Sequence, residues 1–311
     1  MKKISLRIVM VCLIVFFLKN EFTSFLLLNA TYGMPALIKK GEIESLYIGS
    51  SMFRQGLDIY ALENDCADSY ILAYNGNQPT LELEQLEYLL QKGVDIENLY
   101  IDMYVYSAWS ETKLQDEKLL MEIDLNEKKE IWKLIAKSDS SKILDFWRMF
   151  VASNNELLLT WPINNFLINS QFYKGGAKIQ NIGSNKSDLM KLTVPVANGD
   201  MNPKQKKSID DIIQLCEINE INLCFIETPK YHQVAEDKSY LIAMQEYTEF
   251  VSEKEIPIIL CLNTYENIKK YGNVYYYDFD NDCAEYFTDL IHLSYSGRVE
   301  FTKELGSILK R

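Results

Sequence analysis

The chain has 311 residues, of which 48% are hydrophobic and 24% charged, a globular composition that excludes collagen, coiled coil and wholesale disorder. The formal net charge of −12 argues against a nucleic-acid-binding protein, because such proteins need a basic face to displace counterions from phosphates. Only two histidines occur, His232 and His292, which excludes a metal site built from several histidines. We therefore expect no metal, no organic cofactor and no nucleic-acid partner.

Residues 1–28 are predicted to form an uncleaved signal-anchor helix. A basic start, Met-Lys-Lys, precedes an apolar run at 8–18 and a second apolar patch at 22–28. A membrane-spanning helix needs about 20 residues, which 4–27 supply if Lys19 and Glu21 snorkel. The basic residues then place the N-terminus in the cytoplasm and residues 29–311 outside it, as a single-pass cell-membrane protein. A buried amphipathic helix in a cytosolic protein is the alternative.

Short apolar runs then alternate with amphipathic segments. Strands are predicted at 45–48, 69–74, 99–105, 221–227, 256–262 and 274–278, and helices at 52–62, 79–92, 204–217, 240–254 and 300–309. This alternation predicts βαβ units with a parallel sheet. The run Ile258–Leu262 is apolar on both faces, which indicates a sheet covered on both sides. The predicted fold class is α/β, a three-layer α/β/α domain with a mainly parallel sheet.

Residues of about 106–202 follow a different pattern. Charged helical stretches alternate with aromatic-rich ones, and glycine-containing loops follow. We interpret this segment as a helical insertion within a single domain at 29–311. Such an insertion either forms a lid or wall of a substrate cleft or is a packing elaboration without functional contacts.

Two serines follow the first predicted strand. Tyr47-Ile48-Gly49 leads into Ser50-Ser51, and a helix is predicted from Met52. Ligands of an open parallel sheet bind at the carboxyl ends of its strands, so a serine here points into the crevice beside a helix N-terminus. A plain helix cap is the alternative interpretation.

An Asp-x-x-His sequence, Asp289 to His292, precedes the last predicted helix. At this spacing the carboxylate can orient the imidazole, which leaves the other ring nitrogen to accept a proton from a serine. His232 is interpreted as an exposed loop residue, with a place in the cleft as the alternative. Ser51, His292 and Asp289 therefore supply the three roles of a catalytic triad.

These blocks resemble those of the SGNH or GDSL hydrolases, which carry Gly-Asp-Ser after the first strand and D-x-x-H before the last helix. Gly49-Ser50-Ser51 matches the first block with Ser50 in place of Asp, and Asp289 and His292 match the last. The Gly-Ser-Ser form is similar to a membrane-anchored branch of D-alanyl transfer and other cell-envelope acyl-transfer proteins. The resemblance covers residues 43–105 and 204–311. It implies an SGNH, flavodoxin-like fold with Ser51 as nucleophile, His292 as general base and Asp289 as its orienting acid.

The same resemblance implies an oxyanion hole. Asn75-Gly76-Asn77-Gln78 is placed like the second block of the family, so Gly76 could present its N–H and Asn77 or Gln78 a side-chain donor. The third block, Gly-x-Asn-Asp after the third strand, is absent, and Asp102 lies in the Ile-Asp-Met-Tyr sequence found there. Either another donor replaces the missing Asn or esterase activity is reduced.

The expected function is that of a membrane-anchored, extracytoplasmic serine acyl-ester hydrolase or O-acyltransferase. Its expected partner is an acylated cell-surface glycan or a related polymer, such as a polysaccharide or teichoic acid. Hydrolysis and transfer are not separated, because they differ only in whether water or a hydroxyl intercepts the acyl-enzyme. The alternative is a non-catalytic envelope assembly or binding protein that retains the fold.

Overall fold

Six parallel strands form the central sheet. The computed structural model describes residues 33–65, 68–151, 172–177, 180–197 and 199–310, together with 10, 11, 14 and 18. In chain order the strands are β1 Glu42–Gly49, β2 Ser69–Ala73, β3 Asp95–Asp102, β4 Asn222–Ile226, β5 Ile258–Cys261 and β6 Val274–Tyr277. They lie side by side in the order β2-β1-β3-β4-β5-β6. The predicted α/β class and parallel sheet are confirmed.

The strand order reverses between β1 and β3. Register pairs Ile48 of β1 with Ile101 of β3 on one side and with Leu72 of β2 on the other. The β1–β2 crossover therefore runs in one direction along the sheet and the β2–β3 crossover in the other, which opens a crevice beyond the carboxyl ends of β1 and β3, the usual ligand position in such sheets. The fold thus places the residues that follow Gly49 and Asp102 at the crevice.

Helices cover both faces of the sheet. They are α1 Gly33–Lys40, α2 Ser51–Gly56, α3 Ile59–Asp65, α4 Pro79–Gln91, α5 Val105–Ala108, α6 Lys118–Glu122, α7 Leu125–Ser138, α8 Lys186–Leu189, α9 Pro203–Ile218, α10 His232–Ala235, α11 Lys238–Ser252, α12 Leu262–Asn267 and α13 Tyr295–Leu309. On one face α13 packs against α2 and α3, whereas α4 packs against α9 on the other. All residues of β2 and β5 are buried, as expected for a sheet enclosed by two helical layers.

The helix predicted at 52–62 is two helices, α2 and α3. The backbone N–H of Leu57 closes α2 on the carbonyl of Phe53, 3.1 Å away. Asp58 then leaves the helical path, since its N–H donates to Thr302 Oγ1 in α13 at 2.8 Å. Its side chain accepts from the N–H of Tyr60 at 3.0 Å and so begins α3. A tertiary contact with the last helix accounts for the break.

The segment interpreted as a helical insertion contains α6, α7, α8 and helical residues 143–151 in its described part. It also contains a short antiparallel hairpin, Phe172–Tyr173 with Gly176–Ala177, which the sequence pattern did not predict. The N–H of Ile71 in β2 donates to the carbonyl of Lys174 at 2.9 Å. The hairpin turn therefore lies against β2, the strand at this edge of the sheet.

No helix within the described ranges is both long enough and apolar enough to cross a membrane. The predicted signal-anchor at 1–28 falls outside the described residues except at positions 10, 11, 14 and 18. The anchor remains a prediction.

Glu122 joins the insertion to the first helix and to the end of β2. Its Oε2 accepts from the N–H of Met34 at 2.9 Å and from the Tyr74 hydroxyl at 2.6 Å. Gly33 has a φ of +75°, and a Cβ added there would lie 2.1 Å from the same oxygen. Burial raises the pKa of Glu122 to about 7, although both hydrogen bonds favour the charged form.

We predict that Glu122→Gln removes one component of the pH dependence of stability. A carboxyl whose folded pKa is raised from 4.5 to about 7 stabilises the fold fully below pH 4.5 and loses this contribution as pH rises through 7. Urea unfolding of the full chain at a series of pH values measures this effect. The free energy of unfolding of the variant should rise relative to that of the wild type between pH 4.5 and about 7. The relative gain is on the order of 3 kcal/mol, at about 1.4 kcal/mol per pKa unit. A difference that is constant with pH would contradict the prediction.

Candidate active site

The structure brings Ser51, His292 and Asp289 together at the carboxyl end of β1. Ser51 begins α2, and its Oγ lies 2.9 Å from Nε2 of His292, which is 241 residues away in the chain. Nδ1 of His292 lies 2.8 Å from Asp289 Oδ2. The three side chains thus form a continuous hydrogen-bonded relay from hydroxyl to carboxylate.

The relay has one consistent direction. Burial alone would raise the pKa of Asp289, but the hydrogen bond and charge of His292 outweigh it and lower that pKa. The ionised carboxylate can only accept, so Nδ1 of His292 carries a proton and donates it. Nε2 is then free to accept the Ser51 hydroxyl, as a general base must.

The loop between the 3₁₀ turn Ala284–Tyr286 and α13 holds Asp289 and His292 in place. Oδ1 of Asp289 accepts from the backbone N–H groups of Ile291 and His292, each at 2.8 Å. The carbonyl of His292 accepts from the N–H of Thr288 at 2.9 Å. Ser294 then caps α13 by accepting from the N–H of Gly297 at 3.2 Å. The cap explains why this helix begins at Tyr295, five residues before its predicted start at Glu300.

Ser50 and Asp102 hold the turn that presents Ser51. The Ser50 hydroxyl donates to Asp102 Oδ2 at 2.6 Å and accepts from the N–H of Met52 at 3.1 Å, which caps α2. The Ser50 N–H reaches the same carboxylate at 3.3 Å. Ser50 is fully buried and Asp102 is 3% exposed. Asp102, at the end of β3, thus supports the turn that carries Ser51.

A buried lysine lies behind this pair. Burial raises the pKa of Asp102, while the charge of Lys230 and the bonds from Ser50 oppose the increase. Lys230 is 2% exposed, and its Nζ donates to the carbonyl and Oγ1 of Thr228 at 2.7 and 2.6 Å. The positive charge of Lys230 therefore counteracts the rise in the pKa of Asp102 from within the protein interior, behind the crevice.

A cleft of about 510 Å³ opens over the relay. Ser51 and His292 form its floor, and side chains of the insertion form one wall: Tyr106, Ser107, Ser110, Lys113 and Gln115. This arrangement favours the interpretation of the insertion as a cleft wall, at least over residues 106–115. No acidic residue occurs among the described residues that line the cleft, although the chain carries a net charge of −12.

The predicted oxyanion residues separate in the structure. Gly76 has a φ of +58° and lines the cleft, and no acceptor among the described residues bonds its N–H. The Asn77 amide is buried in a reciprocal pair with Gln85, at 3.3 and 3.0 Å. The Gln78 amide donates to Ser110 Oγ at 2.5 Å and to the carbonyl of Glu111 at 3.0 Å. Gly76 therefore reaches the site, whereas the Asn77 and Gln78 side chains hold the wall behind it.

Sequence reasoning assigned no role to the side chains of Asn75 and Asp102, although it named both residues. Asp102 ends β3 and Asn75 lies two residues after β2, so their position at strand ends, which pointed to Ser51, could have indicated them. His232 begins α10, with Nδ1 3.8 Å from Asp282 Oδ1, and does not line the cleft. The described residues contain no group of three or more His, Cys, Asp or Glu side chains arranged to hold a metal ion.

No family model matches this chain, and no curated protein matches it. Among solved structures, 15 chains match, including one described as "a putative platelet activating factor from Streptococcus pneumonia". That chain is 11% identical, with 97% of this chain and 99% of that one covered, and the TM-score is 0.35. A TM-score this low does not support any inference from that protein to this chain.

We predict that Gly49→Ala destabilises the protein, because β1 and β3 approach closely at this residue. A Cβ at Gly49 would lie 2.5 Å from the Asp102 Cβ and 3.0 Å from the Phe53 ring. Overpacking of this kind costs about 1–3 kcal/mol. Chemical denaturation should show the loss.

Gly272→Ala is the matched control. A Cβ at Gly272 meets no atom within 4 Å, so its free energy of unfolding should stay within about 0.5 kcal/mol of the wild type. Equal effects of the two substitutions would contradict the close approach of Asp102.

Proposed function

We propose that this protein is a serine acyl-ester hydrolase or O-acyltransferase of the SGNH type, anchored in the cell membrane and acting outside the cytoplasm. The observation that carries the proposal is the relay from Ser51 through His292 to Asp289, with spacings of 2.9 and 2.8 Å. A serine that only caps a helix needs no imidazole beside its hydroxyl, whereas a serine nucleophile needs a base there. The half-buried Ser51 also faces a cleft that can admit a substrate.

In the first half-reaction, Ser51 Oγ attacks the carbonyl carbon of the substrate ester while its proton moves to His292 Nε2. The negative charge that develops on the carbonyl oxygen is stabilised by the N–H groups of Ser51 and Gly76. The tetrahedral intermediate then collapses, the bond to the alcohol breaks, and the alcohol oxygen takes the proton from His292. Asp289 stabilises the imidazolium between these two transfers.

In the second half-reaction, an incoming O–H group attacks the acyl-Ser51 ester. His292 takes the proton from that group, and the Ser51 oxygen recovers it when the acyl-enzyme bond breaks. Attack by water releases a carboxylic acid, whereas attack by a hydroxyl of a polymer transfers the acyl group. The open cleft of about 510 Å³ has space for either acceptor.

The lining of the cleft favours a hydroxyl-rich substrate of neutral or negative charge. Tyr104 and Tyr106 offer aromatic faces and phenol hydroxyls, and Gln55 and Gln115 offer amides. Burial raises the pKa of Tyr104, helped by the charges of Asp102 and Asp289, so its phenol stays neutral. Lys113 adds a cation at the rim. These groups suit an O-acylated glycan or a related envelope polymer, in line with the predicted membrane anchor.

The central test is covalent labelling of the full-length protein by a fluorophosphonate, together with hydrolysis of p-nitrophenyl acetate. Ser51→Ala should abolish labelling, and Ser51→Ala and His292→Ala should each lower turnover by at least about a thousandfold. His232→Ala is the matched control, because the second histidine lies outside the cleft and should leave turnover unchanged. A folded wild-type protein that is neither labelled nor active would instead support the non-catalytic envelope-binding role.

We further predict that Asp289→Asn keeps the fold but lowers kcat by about 10³–10⁴-fold. An amide at this position accepts from the N–H groups of Ile291 and His292 through its oxygen, so the loop is retained. Its NH2 group then faces Nδ1 of His292 and favours the tautomer with the proton on Nε2, which cannot accept from Ser51. Thermal unfolding and p-nitrophenyl acetate turnover measure the two effects separately. An unchanged kcat would show that Asp289 is only a turn residue.

A further inference from the structure

We propose that Asn75 supplies the side-chain donor of the oxyanion hole, from the turn after β2 instead of from the end of β3. This inference rests on the proposed acyl-transfer function and assigns a role to a residue of the second block that the resemblance leaves without one. Three observations carry it: the strand register next to Ser51, a buried ion pair that fixes the amide, and the engagement of the Asn77 and Gln78 amides elsewhere.

The register places Asn75 beside the nucleophile. Gly49 pairs with Ala73 at the parallel ends of β1 and β2, and the N–H of Tyr74 donates to the carbonyl of Gly49 at 3.1 Å. Two residues beyond this pair, Ser51 begins α2 and Asn75 lies in the turn after β2. Both residues therefore follow adjacent strand ends at the crevice. Both line the same cleft.

A buried ion pair holds Asn75 in place. Arg54 and Asp116 are 8% and 5% exposed, and their charged groups approach to 3.1 Å. Arg54 Nη1 donates to Asn75 Oδ1 at 3.2 Å, and Asp116 Oδ2 accepts from the backbone N–H of Asn75 at 2.9 Å. Arg54 also donates to the carbonyl of Ala73 through Nε at 2.9 Å and through Nη2. The pair therefore clamps both the backbone and the side chain of this residue.

The clamp also decides which way the amide faces. An arginine only donates, so the atom of Asn75 that it contacts is the oxygen. The NH2 group of Asn75 then points away from Arg54, and no acceptor among the described residues bonds it. A fixed amide N–H donor in a water-accessible cleft beside a nucleophile is the arrangement that an oxyanion hole needs.

The neighbouring side chains expected to supply this donor are engaged elsewhere. The amides of Asn77 and Gln78 are hydrogen-bonded behind the cleft wall. Asp102, at the end of β3, offers only acceptor oxygens and is buried against Ser50.

The test compares Asn75→Asp and Asn75→Ala with the wild type in the full-length protein. Asn75→Asp keeps an oxygen for Arg54, so the clamp and the fold are retained while the NH2 donor is lost. Asn75→Ala removes the same donor without adding a charge. Both variants should lower the kcat for p-nitrophenyl acetate by about 10²–10³-fold, with KM changed little, because the donor acts on the transition state. Thermal unfolding midpoints establish that the variants are folded.

Each outcome decides the inference. A folded Asn75→Asp variant with kcat within about tenfold of the wild type, alongside an inactive Ser51→Ala, would overturn the role of Asn75 and leave the serine mechanism standing. A loss of kcat in Asn75→Asp that Asn75→Ala does not share would assign the effect to the added charge and also overturn it. A wild-type enzyme whose turnover survives Ser51→Ala would overturn the mechanism and the inference together.

Discussion

The hydrogen bond between the Ser50 hydroxyl and Asp102 Oδ2, at 2.6 Å, joins the ends of β1 and β3 where the strand order reverses. Gly49 permits the close approach, since a Cβ there would collide with Asp102. The same Ser50 oxygen caps α2, and the cap sets Ser51 as the first helical residue. Removing the hydroxyl would leave a buried carboxylate without its main donor, which carries a large desolvation cost. The position of Ser51 therefore depends on a polar pair that does not itself line the cleft.

Two aspartates near Ser51 occupy opposite environments. Burial raises the pKa of Asp102, whereas the hydrogen bond and charge of His292 lower the pKa of the half-buried Asp289. Only an ionised carboxylate can hold the imidazole in the tautomer that accepts from serine, and the lowered pKa of Asp289 favours that form. Asp289 accordingly orients the imidazole, while Asp102 serves the turn. Lys230, buried behind both, moderates the cost of the two negative charges.

The insertion is bound to the site through the turn after β2. Glu122 accepts from the hydroxyl of Tyr74, and Asp116 accepts from the N–H of the next residue, Asn75. The side chain of Gln78 also bonds to the insertion, because it accepts from the N–H of Lys113 at 2.8 Å. Several buried polar bonds thus couple the wall of the cleft to the backbone that carries Gly76. If some of these buried bonds broke and others remained, polar groups would be left without partners at a high cost in free energy. We therefore expect the insertion and the turn to be ordered together.

Much of the architecture was determined by the sequence alone, because it depends on local periodicity. Alternating apolar runs predicted the parallel sheet and its helical layers, and two short motifs identified Ser51, His292 and Asp289. Helix ends were less predictable: the division of 52–62 into α2 and α3 depends on a bond from Asp58 to Thr302, 244 residues away. The periodicity of a short sequence segment does not indicate partners that are so far away in the chain.

Only the tertiary structure decided which polar side chains face the cleft. Asn75, Asn77 and Gln78 are near neighbours of similar chemistry, yet Gln85 and Ser110 occupy two of the amides while Arg54 orients the third. An amide is available for catalysis only when its other partners are elsewhere, and those partners come from distant parts of the chain. Periodicity reports which face of an element is buried, whereas hydrogen-bond occupancy is a property of the assembled fold.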